Sequence, residues 1–359
     1  MSKPLASFLQ SRDNNFNLIR FIAAFGVLLS HSYSLVLGSG ETEPVRQLIG
    51  MSFGQIAVDI FFISSGFLIA NSLFVKKDLT NFLWARFLRI YPGLFVALIF
   101  CVFVVGMYFT SYPVGKYLTD SQTYIFFFKN AVLFFGEEQS LPGVFETLPW
   151  PGVVNGSLWT LPFEVKAYCL LVLFSVVIHR LVIWSEGLLS EYLFYLLIPL
   201  LGMLIYIVNH FYTFLPISYF TYEDFRLYSL FFIGTACYIF KDKLILSKSF
   251  FYVALFALLL STIHTDMFFI IYNVCIFYVV FYIAYIPKGG IRKFNQYGDY
   301  SYGIYIYAWP VQQSVVALIP NINVLELCVY SFAVTLLLSY FSWNYIEKKA
   351  LKFKVKLPS

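Results

Sequence analysis

Ten apolar runs divide this sequence from its start to its end, and most are about as long as a membrane-spanning helix. A helix needs about 20 apolar residues to cross the hydrocarbon core of a bilayer. The runs cover residues 16–37, 54–75, 89–109, 158–179, 192–211, 226–240, 250–264, 267–286, 301–319 and 324–346. This pattern predicts an all-α fold, a polytopic membrane helix bundle with about ten transmembrane helices.

The composition excludes most other classes of protein. Only 12% of the 359 residues are charged and 60% are hydrophobic, whereas about 25% of the residues of a soluble domain are charged. This excludes an ordinary cytosolic enzyme, a disordered chain and a basic nucleic-acid-binding protein. The five cysteines are scattered through apolar runs without CxxC spacing, which predicts small buried side chains and neither a disulfide framework nor a zinc site.

Basic residues indicate how the helices are oriented. If the N-terminus is cytoplasmic, 18 lysines and arginines lie in the inner segments and four in the outer ones, as the positive-inside rule requires. We therefore expect both termini in the cytoplasm and a first helix that is retained rather than cleaved as a signal peptide. The chain is predicted to be one membrane domain, 1–359, with the helix bundle at 10–346 and a basic cytoplasmic tail at 347–359.

The longest outer segment, residues 110–155, joins the third and fourth runs. It contains an apolar stretch at 124–135 that is too short to cross a bilayer, so we expect it to be interfacial or re-entrant. A loop of this length is often a functional lid. A variable surface loop is the alternative interpretation.

Polar residues inside the apolar runs are the first candidates for function, because a charge in a bilayer helix costs from about 2.5 to more than 10 kcal/mol. Arg20 and His31 share the first run, about 16 Å apart and on nearly the same helix face. We expect Arg20 near the inner end and His31 beyond the middle, where an imidazole can act as a base. The alternatives are a snorkelling arginine and a hydrogen-bonded packing histidine.

Two carboxylates are predicted on the outer side. Asp59 lies in the outer half of the second run, at a depth similar to that of His31, whose imidazole it can orient. A helix cap or another partner is the alternative for Asp59. Glu164 follows Pro162 at the head of the fourth run, where it would bind a sugar hydroxyl, act with His31 or remain a solvated charge at the rim.

Arg86 and Arg89 lie three residues apart on one helix face at the inner side. Two guanidinium groups there suit the phosphate oxygens of a cytosolic ligand, and anchoring to anionic lipid is the alternative. The small residues Ser64–Gly66 favour close helix packing. Gln312 and Gln313 lie deep in the ninth run, and their buried amides need partners or a polar cavity.

These residues stand in motifs that together resemble the acyltransferase-3 family of polytopic membrane acyltransferases. The matching segments are the arginine–ten residues–histidine pair (Arg20, His31), G-x-x-x-V-D-x-F-F-x-x-S-G from Gly54 to Gly66, R-x-x-R-I-x-P from Arg86 to Pro92, S-L-W-T-L-x-x-E-x-x-x-Y from Ser157 to Tyr168, and S-Y-G-I-Y from Ser301. Many relatives carry a histidine before the tryptophan–proline of the last motif. This chain has Ala308 there, so no role of that histidine is carried over.

The resemblance implies ten core spans with cytoplasmic ends, acetyl-CoA from the cytosol as acyl donor, no metal, and no nucleic-acid partner. It also implies an acceptor hydroxyl on a bacterial glycan or its lipid-linked precursor, as in inner-membrane O-acetyltransferases of O-antigen and exopolysaccharide. An appended periplasmic SGNH domain, known in some relatives, is not expected here. His31 would be the general base or a transient acyl acceptor.

The residues and the resemblance together predict a site with His31, Arg20, Asp59 and Glu164 for catalysis, Arg86, Arg89 and Ser65 for the donor, and Ser157, Trp159, Tyr168 and Tyr302 for the acceptor. The rival hypothesis is a transporter or flippase for a lipid-linked sugar or an anionic metabolite. Ten spans with buried charge suit that function as well, although the two halves of the sequence show no match of the kind that transporters often have.

Overall fold

The computed structural model describes residues 3–11, 13–76, 78–185, 190–212 and 221–354, and most of them are helical. In chain order the α-helices are α1 (Phe16–Leu37), α2 (Pro44–Ile49), α3 (Phe53–Lys76), α4 (Leu79–Ile99), α5 (Met107–Phe109), α6 (Val114–Thr119), α7 (Ser121–Val132), α8 (Thr160–Trp184), α9 (Glu191–Tyr212), α10 (Tyr222–Ile239), α11 (Lys248–Ser261), α12 (Thr265–Tyr285), α13 (Ser301–Leu318), α14 (Val324–Phe341) and α15 (Lys348–Ala350). Each predicted apolar run lies mostly in one of the long helices. The all-α prediction is therefore confirmed.

Seven helices in the described part of the chain are long and apolar enough to cross a membrane. They cover Phe16–Leu37, Phe53–Val75, Leu79–Phe109, Gly156–Trp184, Glu191–Val208, Thr265–Tyr285 and Val324–Phe353. The apolar helix α11 has only 14 residues, which is about 21 Å of helix and less than the thickness of a bilayer core. The count of ten spans and the location of the termini stay predictions.

Local sequence signals account for the helix ends. Gly38 ends α1 in the left-handed conformation, with φ 71°, which glycine adopts at little cost. Thr221 with Asp224 and Asn323 with Glu326 form capping boxes at the starts of α10 and α14, where they bind backbone N–H groups that have no partner within the helix. Two short antiparallel strands, β1 (Lys3–Pro4) and β2 (Ile245–Leu246), join the N-terminal segment to the segment after α10.

Two of the long helices continue through π-helical turns. The first, Phe100–Gly106, extends α4 into α5, and the second, Ser342–Glu347, extends α14 into α15. The chain after α14 therefore stays helical beyond the predicted boundary at 346, through the final 3-10 turn Leu351–Phe353. Glu347, predicted as the first residue of a tail, is 1% exposed, and tail residues 355–359 lie outside the described residues.

The predicted packing role of Ser64–Gly66 is confirmed where α3 crosses α10. A Cβ atom on Gly66 would lie 1.8 Å from the carbonyl oxygen of Phe231, and one on Gly234 would lie 2.1 Å from that of Ile63. Thr235 of α10 donates a hydrogen bond of 3.3 Å to the Gly66 carbonyl. The two helix backbones thus touch, which only small residues permit.

The short apolar stretch of the outer loop forms α7, which packs alongside α4. The Tyr91 hydroxyl donates a hydrogen bond of 3.4 Å to the Val132 carbonyl, and the rings of Phe95 and Phe127 are 6.5 Å apart. Twelve residues make about 18 Å of helix. That length agrees with an interfacial or re-entrant helix rather than a span.

The end of the outer loop is bound to α13 at the point where Pro310 interrupts the helix. Proline has no N–H group, so the Ile306 carbonyl loses its normal helical partner. The Asn155 side chain donates a hydrogen bond of 2.9 Å to that carbonyl. Its Oδ1 accepts a hydrogen bond of 3.2 Å from the N–H of Ser157. Asn155 thereby joins α13 to the 3-10 turn that begins α8.

Aromatic and amide side chains of α13 complete this junction. The Trp309 indole donates to the Val153 carbonyl at 3.1 Å, and Gln313 donates to the Trp150 and Val153 carbonyls at 2.8 and 3.0 Å. Gln312 donates to the Leu28 carbonyl at 2.8 Å. The two glutamines thus use their amides to bind neighbouring backbone, which is the packing alternative to the predicted polar cavity.

We expect Gly66→Ala to lower the free energy of unfolding by about 1–3 kcal/mol, because the new methyl group forces α3 away from α10. The measurement is SDS titration in mixed micelles, followed by circular dichroism. Gly115→Ala is the control, because a Cβ atom there meets no other atom within 4 Å. Equal unfolding midpoints for the two variants would contradict the backbone contact.

We expect Asn155→Ala to lower the free energy of unfolding by about 1–3 kcal/mol, since it leaves the Ile306 carbonyl buried without a partner. The same SDS titration measures it. Asn344→Ala is the matched control, because its hydrogen bond to the Tyr340 carbonyl is exposed. A loss of unfolding free energy no larger than that of the control would refute the stabilising role of the hydrogen bond from Asn155 to the Ile306 carbonyl.

Candidate active site

Two cavities with charged side chains in their walls lie next to each other in the bundle. The first, here called the arginine cavity, is lined by residues that include Arg20, Phe61, Ser65, Thr160, Glu164 and Tyr302. The second, the histidine cavity, is lined by residues that include Ser30, His31, Ser34, Glu43, Trp159 and Arg226. Val58 and Tyr305 line both cavities.

Helix α1 contributes one polar side chain to each cavity. Arg20 and His31 are 11 positions apart, about 16 Å along the helix, and lie in the arginine and histidine cavities respectively. The His31 ring packs edge-to-face against Trp309, with 4.6 Å between centroids. Its Nδ1 is buried and has no hydrogen-bond partner among the described residues. The imidazole is therefore fixed by packing, with a ring nitrogen available for a proton or a ligand.

Asp59 has a different partner from the one predicted. Its Oδ1 accepts a hydrogen bond of 2.8 Å from Arg226, and its Oδ2 accepts one of 2.9 Å from Tyr272. The predicted partner is His31, but the two carboxylate oxygens are turned towards α10 and α12. Arg226 is in turn bound to Glu223 at 2.6 Å. A carboxylate with a buried guanidinium beside it is better compensated there than beside a neutral imidazole.

Arg226 was not predicted as a site residue, because it stands at the first position of an apolar run, where it resembles a charge of the outer loop. It is 1% exposed and reaches the wall of the histidine cavity. One feature of the sequence could have identified Arg226 as a paired charge: Glu223 and Arg226 are three residues apart, which places opposite charges one helical turn apart.

Glu164 lies in the arginine cavity and not, as predicted, beside His31 at the outer rim. It accepts a short hydrogen bond from Tyr168, whose hydroxyl is 3.3 Å from that of Ser65. The physical reason is where α8 begins. Asn155 binds the turn before α8 to α13, and Glu164 follows about one helical turn after Thr160.

A cluster of opposite charges lies beside the arginine cavity. Arg89 forms an ion pair with Asp299 and approaches Glu347 at 3.7 Å, and Arg20 is 3.6 Å from Asp299. Burial alone raises the pKa of Asp299, but the positive charges of Arg89 and Arg20 outweigh burial and lower this pKa from 3.8 to about 2. Asp299 therefore stays ionised beside both arginines.

Asp299 and Glu347 were not predicted as site residues, since one precedes α13 in a loop and the other stands among lysines. Their position changes the interpretation of the predicted arginine pair. Arg89 is engaged by two carboxylates, whereas Arg86 lies over the Phe82 ring at 5.9 Å. The Arg86 Nε is buried with no hydrogen-bond partner in the described part of the chain. Arg86 is the member of the pair that has donors left for a ligand.

The four predicted acceptor residues do not share one site. Trp159 lines the histidine cavity, while Tyr302 lines the arginine cavity and donates to the Ile90 carbonyl at 2.8 Å. Tyr168 is bound to Glu164. Ser157 is fully buried in the turn before α8, and its hydroxyl has no hydrogen-bond partner among the residues described.

Comparison with known proteins agrees with the motifs. A family model described as an acyltransferase domain matches residues 13–343. An O-acetyl transferase of Shigella phage Sf6 is 30% identical over 348 residues, which are 95% of this chain and 96% of that protein. Nodulation protein 10 of Rhizobium leguminosarum bv. viciae is 30% identical over 160 residues, 43% of this chain and 42% of that protein. No solved structure matches the chain.

The family match includes both cavities, the junction at Pro310 and, from the charged cluster, Arg20, Arg89 and Asp299. The relative from phage Sf6 matches over nearly the full length of both chains. The chain therefore belongs to the acyltransferase-3 family of membrane acyltransferases, and it is an enzyme of the O-acetyltransferase type.

Proposed function

We propose that the chain moves an acetyl group from cytosolic acetyl-CoA to a hydroxyl of a bacterial surface polysaccharide or its lipid-linked precursor, across the inner membrane. The observation that supports this most is the pair of cavities that meet at Val58 and Tyr305. One contains the arginine and the other the histidine of α1. In this proposal the chain crosses the bilayer ten times, with α11 as the shortest crossing, both termini are cytoplasmic, and the arginine cavity receives the donor.

On the donor side, Arg86 binds a phosphate of CoA, because a guanidinium with unused N–H groups is well suited to phosphate oxygens. Arg89 supports it indirectly by holding Asp299 and Glu347. Ser65, Tyr168 and Glu164 form a hydrogen-bonded row along the cavity, suited to the amide groups of the pantetheine arm. Arg20 lies at the wall nearest α1 and stabilises charge on the thioester oxygen.

On the acceptor side, the sugar lies in the histidine cavity, with the indole of Trp159 against its ring. His31 removes the proton from the acceptor hydroxyl as that oxygen attacks the thioester carbonyl. The C–S bond breaks, a C–O ester bond forms, and the proton passes through His31 to the CoA thiolate. A route in which His31 first accepts the acetyl group has the same overall balance.

The remaining predicted residues act by positioning others. Asp59 holds Arg226, which lines the histidine cavity, and Tyr302 binds α13 to α4 through the Ile90 carbonyl. Ser157 lies in the turn that carries Trp159 into the histidine cavity. These contacts support the proposed site by fixing the side chains that touch donor and acceptor.

We expect His31→Ala to reduce acetylation of the glycan by at least 100-fold, because general-base catalysis contributes about 10²- to 10⁴-fold. The measurement is acetyl-CoA-dependent incorporation of radiolabelled acetate into polysaccharide by a knockout strain that carries each variant. His264→Ala is the control, since that histidine is 64% exposed. Full acetylation by His31→Ala would refute the role of His31 as the base. Glycan transport without acetylation by the unaltered protein would favour the transporter alternative.

We expect Arg86→Ala to weaken binding of acetyl-CoA to the purified protein about tenfold, through loss of one charge-assisted phosphate contact. Isothermal titration measures the dissociation constant. Arg180→Ala, an exposed arginine on α8, is the matched control and keeps the affinity of the unaltered protein. An Arg86→Ala isotherm identical to that of the control rejects the phosphate role.

A further inference from the structure

We propose that Val58 and Tyr305 form a fixed constriction between the two cavities that limits the length of the acyl group transferred. The inference rests on the proposed function, because it assumes that the acyl group passes from the arginine cavity to the histidine cavity. It concerns which thioesters the enzyme accepts, which the family match does not specify.

The first support is the position of the two side chains. Val58 and Tyr305 line both cavities, and they are 6% and 7% exposed. Phe61 and Tyr302 stand on the same two helices, but they line the arginine cavity and not the histidine cavity. Any group that moves from one cavity to the other by this route must therefore pass the isopropyl group of Val58 and the ring of Tyr305.

The second support is that the tyrosine ring is held in place. The hydroxyl groups of Tyr305 and Thr160 share a hydrogen bond of 2.6 Å, and the Phe61 ring packs edge-on at 5.8 Å between centroids. Thr160 begins α8 immediately after the turn that Asn155 binds to Ile306, the residue next to Tyr305. Both partners of the Tyr305–Thr160 bond thus belong to one junction, which resists widening.

The transfer reaction makes the size of the constriction important for the choice of acyl group. In the transfer, the acyl carbon leaves sulfur and bonds to the acceptor oxygen while the hydroxyl proton ends on the CoA thiolate. An acetyl group has one methyl carbon beyond its carbonyl, whereas a butyryl group has two further methylenes that must fit between Val58 and Tyr305. A pocket of fixed size discriminates about 10- to 200-fold for each methylene.

The test compares kcat/KM for radiolabelled acetyl-CoA and butyryl-CoA in membranes that contain the glycan acceptor. Val58→Ala removes two methyl groups from the constriction, and we expect the butyryl-to-acetyl ratio to rise at least tenfold. Val75→Ala is the matched control on the same helix, since Val75 is 68% exposed, and we expect the ratio of the unaltered enzyme there.

Two further variants test the role of the hydrogen bond. Tyr305→Phe and Thr160→Val each remove it from one side, and we expect each to raise the butyryl-to-acetyl ratio about threefold, with no further rise in the double variant. Additive effects would show that the bond does not hold the ring.

If Val58→Ala still transfers acetyl and its butyryl-to-acetyl ratio is unchanged, the constriction is refuted and the proposed function is not. If Val58→Ala does not fold, Val58→Ile tests the opposite change, with propionyl transfer expected to fall at least tenfold relative to acetyl. An unchanged propionyl-to-acetyl ratio in Val58→Ile overturns the constriction too. No acetyl transfer by the unaltered protein overturns the proposed function together with this inference.

Discussion

The hydrogen bond from Asn155 to the Ile306 carbonyl is the contact on which the rest of the site depends. Pro310 leaves that carbonyl without a helical partner, and a buried carbonyl without a partner is costly. The side chain that repairs this defect also caps the turn before α8. This side chain therefore joins α13 to the start of α8, where Trp159 lines the histidine cavity and Thr160 lines the arginine cavity.

Charge in the bundle follows a related rule of local compensation. Arg226 is buried between Asp59 and Glu223, and Arg89 lies between Asp299 and Glu347. Each guanidinium has carboxylates from other turns or helices, so the cost of burial is offset by pairing and hydrogen bonds. By contrast, the Nε of Arg86 and the Nδ1 of His31 are buried without a hydrogen-bond partner among the described residues. Both lie where the proposed function needs a group that is free to bind.

The helices could be predicted from sequence because a run of about 20 apolar residues has few stable solutions other than a helix. The partners of the charged residues could not be predicted, since they depend on the depth and rotation of each helix in the bundle, which the apolar periodicity does not determine. Glu164 lines the arginine cavity rather than the outer rim, because the start of α8 is bound to α13. Glu347 was assigned to a tail because the π-helical turn at Ser342–Glu347, which carries it inward, has no signature in the apolar pattern. Arg20 and His31 line two adjacent cavities, and their spacing along the bundle could be predicted because both stand on α1.

The glycine contact between α3 and α10 limits how this enzyme can move. Gly66 and Gly234 bring the two backbones together, and the ion pair of Asp59 with Arg226 joins the same helices two turns away. Two separated attachments oppose both sliding and rotation of α3 against α10. Val58 and Arg226 therefore stay together, and we expect the histidine cavity to open through other elements that line it, such as α1 or the segment that carries Glu43 and Arg46.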